Sequence, residues 1–257
     1  MSATALFELL AAIAALVAAI FIFDQHLHRP RPHKLLWTLG LLFYGLAALA
    51  AFAGASEHWT VFEYKTWYYF GGVLTAAYLG LGSFWLLWNK TAARVLTGIA
   101  VAISVVAGVI VLLAPVSAAA AEKLAHSTTE TVTKVSAFPV LPGFLAIFAI
   151  LMNIPGALFL FGGAVWSAWT FLQKKASGYR VASMVLLALG SVFPSFTTGF
   201  QRLGFSGAAA LGEFLGALCL LAGLLISLDV FTVFRVPFTS IVIHERKQAA
   251  PQRVQAG

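Results

Sequence analysis

The sequence predicts an all-α, polytopic membrane protein built as a bundle of seven transmembrane helices. Hydrophobic residues make up 61% of the 257 residues and charged residues only 10%, whereas a soluble globular domain carries about 25% charged residues. The apolar residues gather in seven runs, each with the roughly 20 residues that a helix needs to cross a bilayer. The Lys and Arg residues fall mainly in alternate loops, as they do in helical membrane proteins of fixed orientation.

The seven segments are too long for buried strands and lack the strict alternation of outer-membrane barrel strands. They cover residues of about 4–23, 35–54, 67–88, 95–115, 143–172, 181–201 and 210–234. Residues 1–236 are therefore predicted to form one transmembrane domain. Residues 237–257 are predicted to form a cytoplasmic tail with a disordered end.

Each segment carries its own signals. The first contains Glu8, has no Lys or Arg before it and continues apolar to Phe23, which favours a retained helix over a cleaved secretory signal. The second, third and fourth segments contain no charged residue. Prolines precede the fifth segment, and Pro155 and Pro194 lie inside the fifth and the sixth. The seventh has Glu213 near its start.

The basic residues orient the bundle. Twelve of the 16 Lys and Arg residues lie in the loops after segments one, three and five and in the tail. Cytoplasmic loops keep such an excess, so we predict an N-terminus outside, a C-terminus in the cytoplasm and a location in the bacterial inner membrane. Orientation and contact with anionic headgroups explain the net charge of +7. We expect membrane lipid, but no nucleic acid, as a partner.

The first cytoplasmic loop, HRPRPHK, raises the alternative of a metal site. His26, His28 and His33 together with Asp24 could act as ligands. Zinc sites usually show tighter spacing and a second cluster of ligands. The prolines instead indicate a stiff connector that continues neither helix, so we predict no metal.

The segments lack the groups that membrane cofactors and catalysis need. No Lys or His lies in the middle of a segment, which argues against a retinal Schiff base and against a haem held between helices. Signatures of zinc proteases, nucleophile elbows and phosphate-binding loops are missing. We therefore predict no cofactor and no catalytic residue, with an enzyme acting on lipid as a distant alternative. The single cysteine, Cys219, cannot form an internal disulfide.

The stretch LMNIPGALFLFGG in the fifth segment is the most specific local feature. Pro155 removes a backbone hydrogen bond, and Asn153 needs a partner, either a freed carbonyl or a neighbouring helix. Pro194, in GSVFPSFTTGFQR, makes a second break with Ser191 nearby. The two breaks indicate either structural kinks or the lining of a cavity.

A layer of polar side chains is a first candidate site. Tyr44 and Tyr78 fall near the middle of the second and third segments, at depths comparable to those of Asn153 and Ser191. Each phenol needs a hydrogen-bond partner when buried. The four side chains could meet in one layer, or they could pair separately as contacts between helices.

The acidic residues near the outer surface suggest a second candidate site. Glu213 lies about one turn into its helix, where a carboxylate is costly unless paired. A salt bridge with Arg202 would close the last hairpin. Alternatively, Glu213, Arg202 and Glu8 could form the mouth of an outward-facing pocket, beneath aromatic residues that include Tyr68.

Small residues predict close contacts between helices, and a cluster of aromatic residues predicts a helix end at the membrane interface. The pairs Ala76/Gly80 and Gly212/Gly216 predict close helix contacts. The aromatic residues of SEHWTVFEYKTWYYFGG are interpreted as an interfacial belt. The long outer loop, residues 116–142, could form a short helix over the outer face or stay mobile.

Glycine, proline and aromatic patterns recur in the stretches RPRPHKLLWTLGL, YKTWYYFGGVLTAAYLGLGSFWLL, NIPGALFLFGGAVWSAW and GEFLGALCLL. They resemble those of a family of uncharacterised bacterial seven-helix membrane proteins, over nearly the whole chain. The resemblance implies the class and no activity. A sugar transporter of two three-helix repeats is less similar, because that type has proline in its first and fifth helices and the first segment has none.

These observations lead to two functional hypotheses. The first is a non-enzymatic membrane protein with an outward-facing pocket for a small or lipid-like ligand. It would act as a sensor, or as a subunit with a partner membrane protein or further copies of itself. The alternative is a small transporter or channel gated at the fifth and sixth helices. The candidate ligand-binding residues are Glu8, Tyr44, Tyr68, Tyr78, Asn153, Pro155, Ser191, Pro194, Arg202 and Glu213.

Overall fold

The structure is a computed structural model and describes residues 2–132, 140–174, 178–202, 208–227, 233–235 and 242–245. Its α-helices are α1 Ala3–His28, α2 Pro32–Ser56, α3 Val61–Tyr69, α4 Ala76–Leu87, α5 Lys90–Leu113, α6 Ala118–Ala125, α7 Thr129–Val132, α8 Ala146–Gln173, α9 Gly178–Arg202 and α10 Ala208–Ser227. A π-helical turn, Phe70–Thr75, joins α3 to α4, and a 3-10 turn, Gly143–Leu145, leads into α8. Strands β1 Val233–Arg235 and β2 Val242–Glu245 pair antiparallel.

The fold is that of a helical, multi-pass membrane protein. In the described part of the chain, six helical runs are long and apolar enough to cross a membrane: α1, α2, Val61–Leu87, α5, Gly143–Gln173 and Ala208–Ile226. A shorter apolar stretch, Val181–Pro194, belongs to α9. The predicted segments correspond in order to α1, α2, the run from α3 to α4, α5, α8, α9 and α10.

Predicted boundaries are wrong at several places. The helices α1 and α2 extend into the basic loop, where Pro32 takes the first helical position, which suits its fixed backbone angle. The third run starts at Val61 instead of 67. Its start is fixed by a capping box, in which the Thr60 hydroxyl accepts from the Glu63 N–H (3.3 Å) and the Glu63 carboxylate accepts from the Thr60 N–H (2.8 Å).

A further wrong boundary is the end of the seventh segment. The helix α10 ends at Ser227, and the predicted helical residues 233 and 234 lie in β1. The last residues of the tail, 248–257, for which disorder is predicted, lie outside the described residues.

Six helices form a closed ring. The helix α1 contacts α2 and α10, α2 contacts α4, α4 contacts α8, α8 contacts α9, and α9 contacts α10. The interior is filled by one cluster of buried side chains to which all six helices contribute, among them Ala15, Leu41, Leu79, Leu160, Leu187 and Leu220. The many alanines of this cluster keep the helices close, because small side chains let helix axes approach.

The helix α5 lies outside this ring, with α4 as its main neighbour. Large apolar side chains on α5 are exposed, including Leu112 and Leu113, which are 75% and 74% exposed. The outward face of α8 is similarly open, with Leu158 64% exposed. Water tolerates contiguous apolar surface of this kind poorly, so these faces are suited to lipid or to another membrane protein.

Two contacts confirm the predicted role of small residues. A Cβ atom added at Gly80 of α4 would lie 2.6 Å from the Cα atom of Gly156 on α8. A Cβ atom added at Gly216 of α10 would lie 2.9 Å from the Cδ atom of Pro194 on α9. Both distances are far shorter than van der Waals contact, so α4/α8 and α9/α10 pack through glycine.

The described part of residues 116–142, the predicted outer loop, contains the short helices α6 and α7, which agrees with the predicted alternative of a short helix. Trp59 is fully buried beneath them and donates its indole N–H to the Thr129 hydroxyl at 3.2 Å. Tyr64 and Tyr68 are buried in the same core cluster. For these three residues the interpretation as an interfacial belt is wrong, because a belt faces lipid headgroups and their rings are enclosed by protein. Trp67 and Tyr69, of the same predicted belt, are only partly buried.

Candidate functional site

The structure brings together two acidic residues from the two ends of the chain. Glu8 is the sixth residue of α1 and Glu213 the sixth residue of α10, and these helices pack against each other. The rings of the adjacent residues Phe7 and Phe214 stack across this contact, which places the two acidic residues beside each other. Two helices that start at the same face thus place their acids at the same depth, in the second turn.

The two carboxyl groups differ in their surroundings. Glu8 is 1% exposed, and its Oε2 atom has no hydrogen-bond partner among the described residues. Glu213 is only partly buried. Leaving a buried carboxyl oxygen without a donor costs free energy. Glu8 Oε2 is therefore the atom of this pair to which a ligand could donate a hydrogen bond. A ligand could reach this atom past Glu213, which is the less buried of the two residues.

Tyr44 ties the pair to α2. Its buried hydroxyl donates a hydrogen bond of 2.7 Å to the backbone carbonyl of Glu213. This bond occupies the only proton of the hydroxyl, because a phenol has one O–H donor. Tyr44 therefore positions α10 beside the carboxyl pair and does not donate to the Glu8 carboxyl group.

An aromatic pair beside the acids was missed in the sequence. Phe7 precedes Glu8 and Phe214 follows Glu213, and their rings stack with centroids 6.1 Å apart and planes at 19°. The pair bridges the same two helices as the carboxyl groups. The sequence signal for this pair is that each of the two acidic residues has a phenylalanine directly next to it, in LFELL and GEFLG.

Asn153 makes a separate polar contact, between α8 and the π-helical turn. Its side-chain amide N–H donates to the Gly72 carbonyl, while its Oδ1 atom is buried without a partner among the described residues. A π-helical turn disrupts the regular backbone ladder, and Asn153 satisfies one carbonyl there. Of the two partners considered for Asn153, the neighbouring helix is the one found. Pro155 lines an open apolar groove between α4, α5 and α8.

The predicted polar layer does not form, because its members find separate partners. The Tyr78 hydroxyl lies 3.2 Å from the Ser104 hydroxyl of α5. The Ser191 hydroxyl donates to the Ala188 carbonyl of its own helix at 2.7 Å. Tyr44 and Asn153 contact α10 and the π-helical turn. The alternative of separate contacts between helices describes Tyr44, Tyr78 and Asn153, whereas Ser191 bonds within its own helix.

The remaining candidates lie away from the carboxyl pair or outside the described side chains. Tyr68 stacks on Tyr64, with ring centroids 6.4 Å apart, in the cluster beneath α6 and α7. Pro194 packs against Gly216. Arg202 is the last residue of α9, and its side chain lies outside the described residues, so the salt bridge to Glu213 stays a prediction.

The histidines of the first loop have different neighbours. His28 Nδ1 lies 2.8 Å from the Asp24 carbonyl oxygen, and His26 Nδ1 lies 3.1 Å from the Arg31 carbonyl oxygen. His33 packs edge-on against Trp37. Within the ranges that the structure describes, no three His, Cys, Asp or Glu side chains gather as a metal site.

Two carboxyl groups in contact within an apolar bundle can hold a proton or a cation between them. They also offer acceptor oxygens to a bound molecule. Comparison of the chain with protein-family models, with curated proteins and with solved structures finds no match.

Proposed function

We propose that this protein is a non-enzymatic membrane protein that binds a small or lipid-like ligand at the Glu8–Glu213 carboxyl pair. One observation carries the proposal. Glu8 is 1% exposed, yet its Oε2 atom has no hydrogen-bond partner in the described part of the chain. An intramembrane carboxyl is expensive unless a partner satisfies it, and a ligand with a hydrogen-bond donor would supply that partner.

The pocket would open at the end of the bundle where α1 and α10 begin. Glu8 and Glu213 lie in the second turns of these helices, and Glu213 is partly exposed. The excess of Lys and Arg in alternate loops assigns this end to the outside. In this proposal α9 also spans the membrane, as the sixth of seven spans, and the C-terminus is cytoplasmic. The membrane is the bacterial inner membrane, and the chain belongs to the seven-helix family that it resembles.

A sensor or a subunit of a larger assembly would use the apolar outer faces of α5 and α8. Of the six candidate spans, α5 and Gly143–Gln173 are the least buried, with only 22% of the most apolar stretch of each span buried. Membrane lipid covers such surface in a monomer, and a partner membrane protein or a second copy covers it in an assembly.

A small transporter is the second candidate, and the order of helices around the ring favours it. Going round the ring, α1, α2 and α4 are followed by α8, α9 and α10, while α5 lies outside. The two three-helix groups meet at α1/α10 and at α4/α8, as two parallel repeats related by a two-fold axis would. Each of these interfaces holds a buried side-chain oxygen that has no hydrogen-bond partner among the described residues, on Glu8 and on Asn153.

Thiol labelling of a Glu213→Cys variant tests both candidates. The native Cys219 is replaced by alanine, and a membrane-impermeant maleimide is applied either to intact cells or to inverted membrane vesicles. A pocket open to one side predicts labelling only from the side on which the N-terminus lies. A transporter that alternates predicts labelling from both sides.

Two further cysteine variants calibrate this labelling. Phe62→Cys replaces a side chain that is 77% exposed at the same end of the bundle, whereas Ala11→Cys replaces one that is fully buried. We expect the Phe62→Cys variant to react and the Ala11→Cys variant to stay unlabelled. A Glu213→Cys variant as inert as Ala11→Cys from both sides would contradict the pocket and the transporter alike.

A further inference from the structure

We propose that the ligand of the carboxyl pair presents an organic ammonium group, which enters between α1 and α10. This inference rests on the proposed function and names the chemical class of its ligand. It depends on three features: the charge of the pair, the supply of counter-charge around it and the aromatic rings beside it.

The first feature is the charge of the pair. Glu8 and Glu213 lie at the same depth on two helices that pack against each other, and two neighbouring carboxyl groups cannot both be ionised at low cost, so we expect the pair to keep one proton. With one proton shared, the pair carries one negative charge. That charge lies among buried apolar residues such as Ala11 and Ala12, where an unneutralised charge is costly.

The second feature is the supply of counter-charge. The helix α10 contains no Lys, Arg or His, and those of α1 and α2 lie at the opposite end, at His26, His28, His33 and Lys34. Lys34 there donates to the Gln25 carbonyl at 3.2 Å. The facing group from α2 is Tyr44, whose proton is already donated to a backbone carbonyl. The described side chains of α1, α2 and α10 therefore supply no cation at this end, whereas the side chain of Arg202, the last residue of α9, lies outside the described residues. A cationic ligand would neutralise the pair.

The third feature distinguishes an organic ammonium group from a bare metal ion. Hard metal ions prefer six or more oxygen ligands, and the described residues gather no group of three candidate ligands. The stacked rings of Phe7 and Phe214 bridge the same two helices next to the acids. Aromatic faces together with a carboxylate are the combination that recognises ammonium groups, and an ammonium N–H would also satisfy Glu8 Oε2.

The test measures the melting temperature of the full-length protein in lipid nanodiscs with three additives. n-Hexylammonium chloride is the probe, sodium chloride at equal ionic strength is the control for charge, and 1-hexanol is the control for the alkyl chain. We expect hexylammonium alone to raise the melting temperature, by about 4 °C at roughly ten times its Kd. Glu8→Gln and Glu213→Gln should remove this rise.

Matched variants separate the site from general effects. Asp24→Asn removes a buried carboxyl of the same helix, about 24 Å along α1 from Glu8, and should keep the full response. Phe214→Leu keeps an apolar side chain of similar size and should weaken hexylammonium binding about fivefold, because it removes one aromatic face. This second variant gives a result even if a glutamine variant fails to fold.

Several outcomes would overturn the ammonium proposal. An equal rise with sodium chloride would indicate a metal-ion site, and an equal rise with hexanol would indicate a purely apolar site. A rise seen only after Arg202→Gln would indicate that Arg202 occupies the place assigned to the ligand. One-sided labelling of the Glu213→Cys variant together with no hexylammonium response would leave the pocket in place and reject its ammonium ligand.

Discussion

Gly156→Ala is expected to destabilise the bundle severely, although it adds only one methyl group. The new Cβ atom would lie 2.6 Å from the Cα atom of Ala77 and closer still to the Ala76 carbonyl. The obstacle is backbone on α4, which cannot rotate away as a side chain can. Forcing extra atoms into a close-packed contact costs on the order of 3 kcal/mol. It would also move α8, and with it Asn153, away from the Gly72 carbonyl.

The control for this change lies on the same helix. Gly162 has no atom within 4 Å of an added Cβ, so Gly162→Ala should gain up to about 1 kcal/mol, because alanine favours helix over glycine. The melting temperature of each variant in one detergent measures the difference. Equal melting temperatures for Gly156→Ala and Gly162→Ala would show that α4 and α8 do not meet at Gly156.

Trp59→Ala should have an effect of similar size at the end of the bundle where α6 and α7 lie. Trp59 is fully buried, and a Cβ atom at Gly54 would collide with its indole ring. Its removal forfeits the hydrogen bond to Thr129 and leaves a large cavity, at a cost of about 3–5 kcal/mol. Because Trp59 is the surface on which α7 rests, the loss should also loosen α6 and α7.

Limited proteolysis together with thermal melting measures this effect. Trypsin should cut after Lys123 of α6 faster in Trp59→Ala than in the native protein. Trp166→Ala is the matched control, because Trp166 is 66% exposed and its loss should leave both the melting temperature and the cleavage rate nearly unchanged. A Trp59→Ala variant that behaves like Trp166→Ala would refute the docking of the outer loop on Trp59.

The membrane helices could be predicted from the sequence, because whether a segment forms one depends on the residues within that segment. A run of about 20 apolar residues has to find a non-aqueous environment wherever the rest of the chain lies. The capping box of Thr60 and Glu63 is also local, and the pattern TVFE announces it. The start of the third run could therefore have been placed correctly.

The partners of the polar side chains could not be predicted, because they depend on which helices are neighbours. Glu8 and Glu213 were considered together on the basis of depth alone. The contact of α1 with α10 that joins them has no signal in either helix. The same holds for Tyr78, which has Ser104 of α5 as its partner, and for Asn153, whose partner is a carbonyl of a π-helical turn. Two side chains need a similar depth in the membrane to make such a contact, but similar depth does not determine which helices are neighbours.

Reaction with dicyclohexylcarbodiimide tests the carboxyl pair most directly. This reagent is apolar and attacks protonated carboxyl groups, and mass spectrometry of the digested protein locates its adduct. A pair that shares one proton inside the bundle predicts one adduct per chain, on Glu213 or Glu8. The adduct should disappear in the double variant Glu8→Gln/Glu213→Gln and persist in Asp24→Asn. Labelling that misses both residues, or that a water-soluble carbodiimide reproduces equally, would contradict a protonated pair buried between α1 and α10.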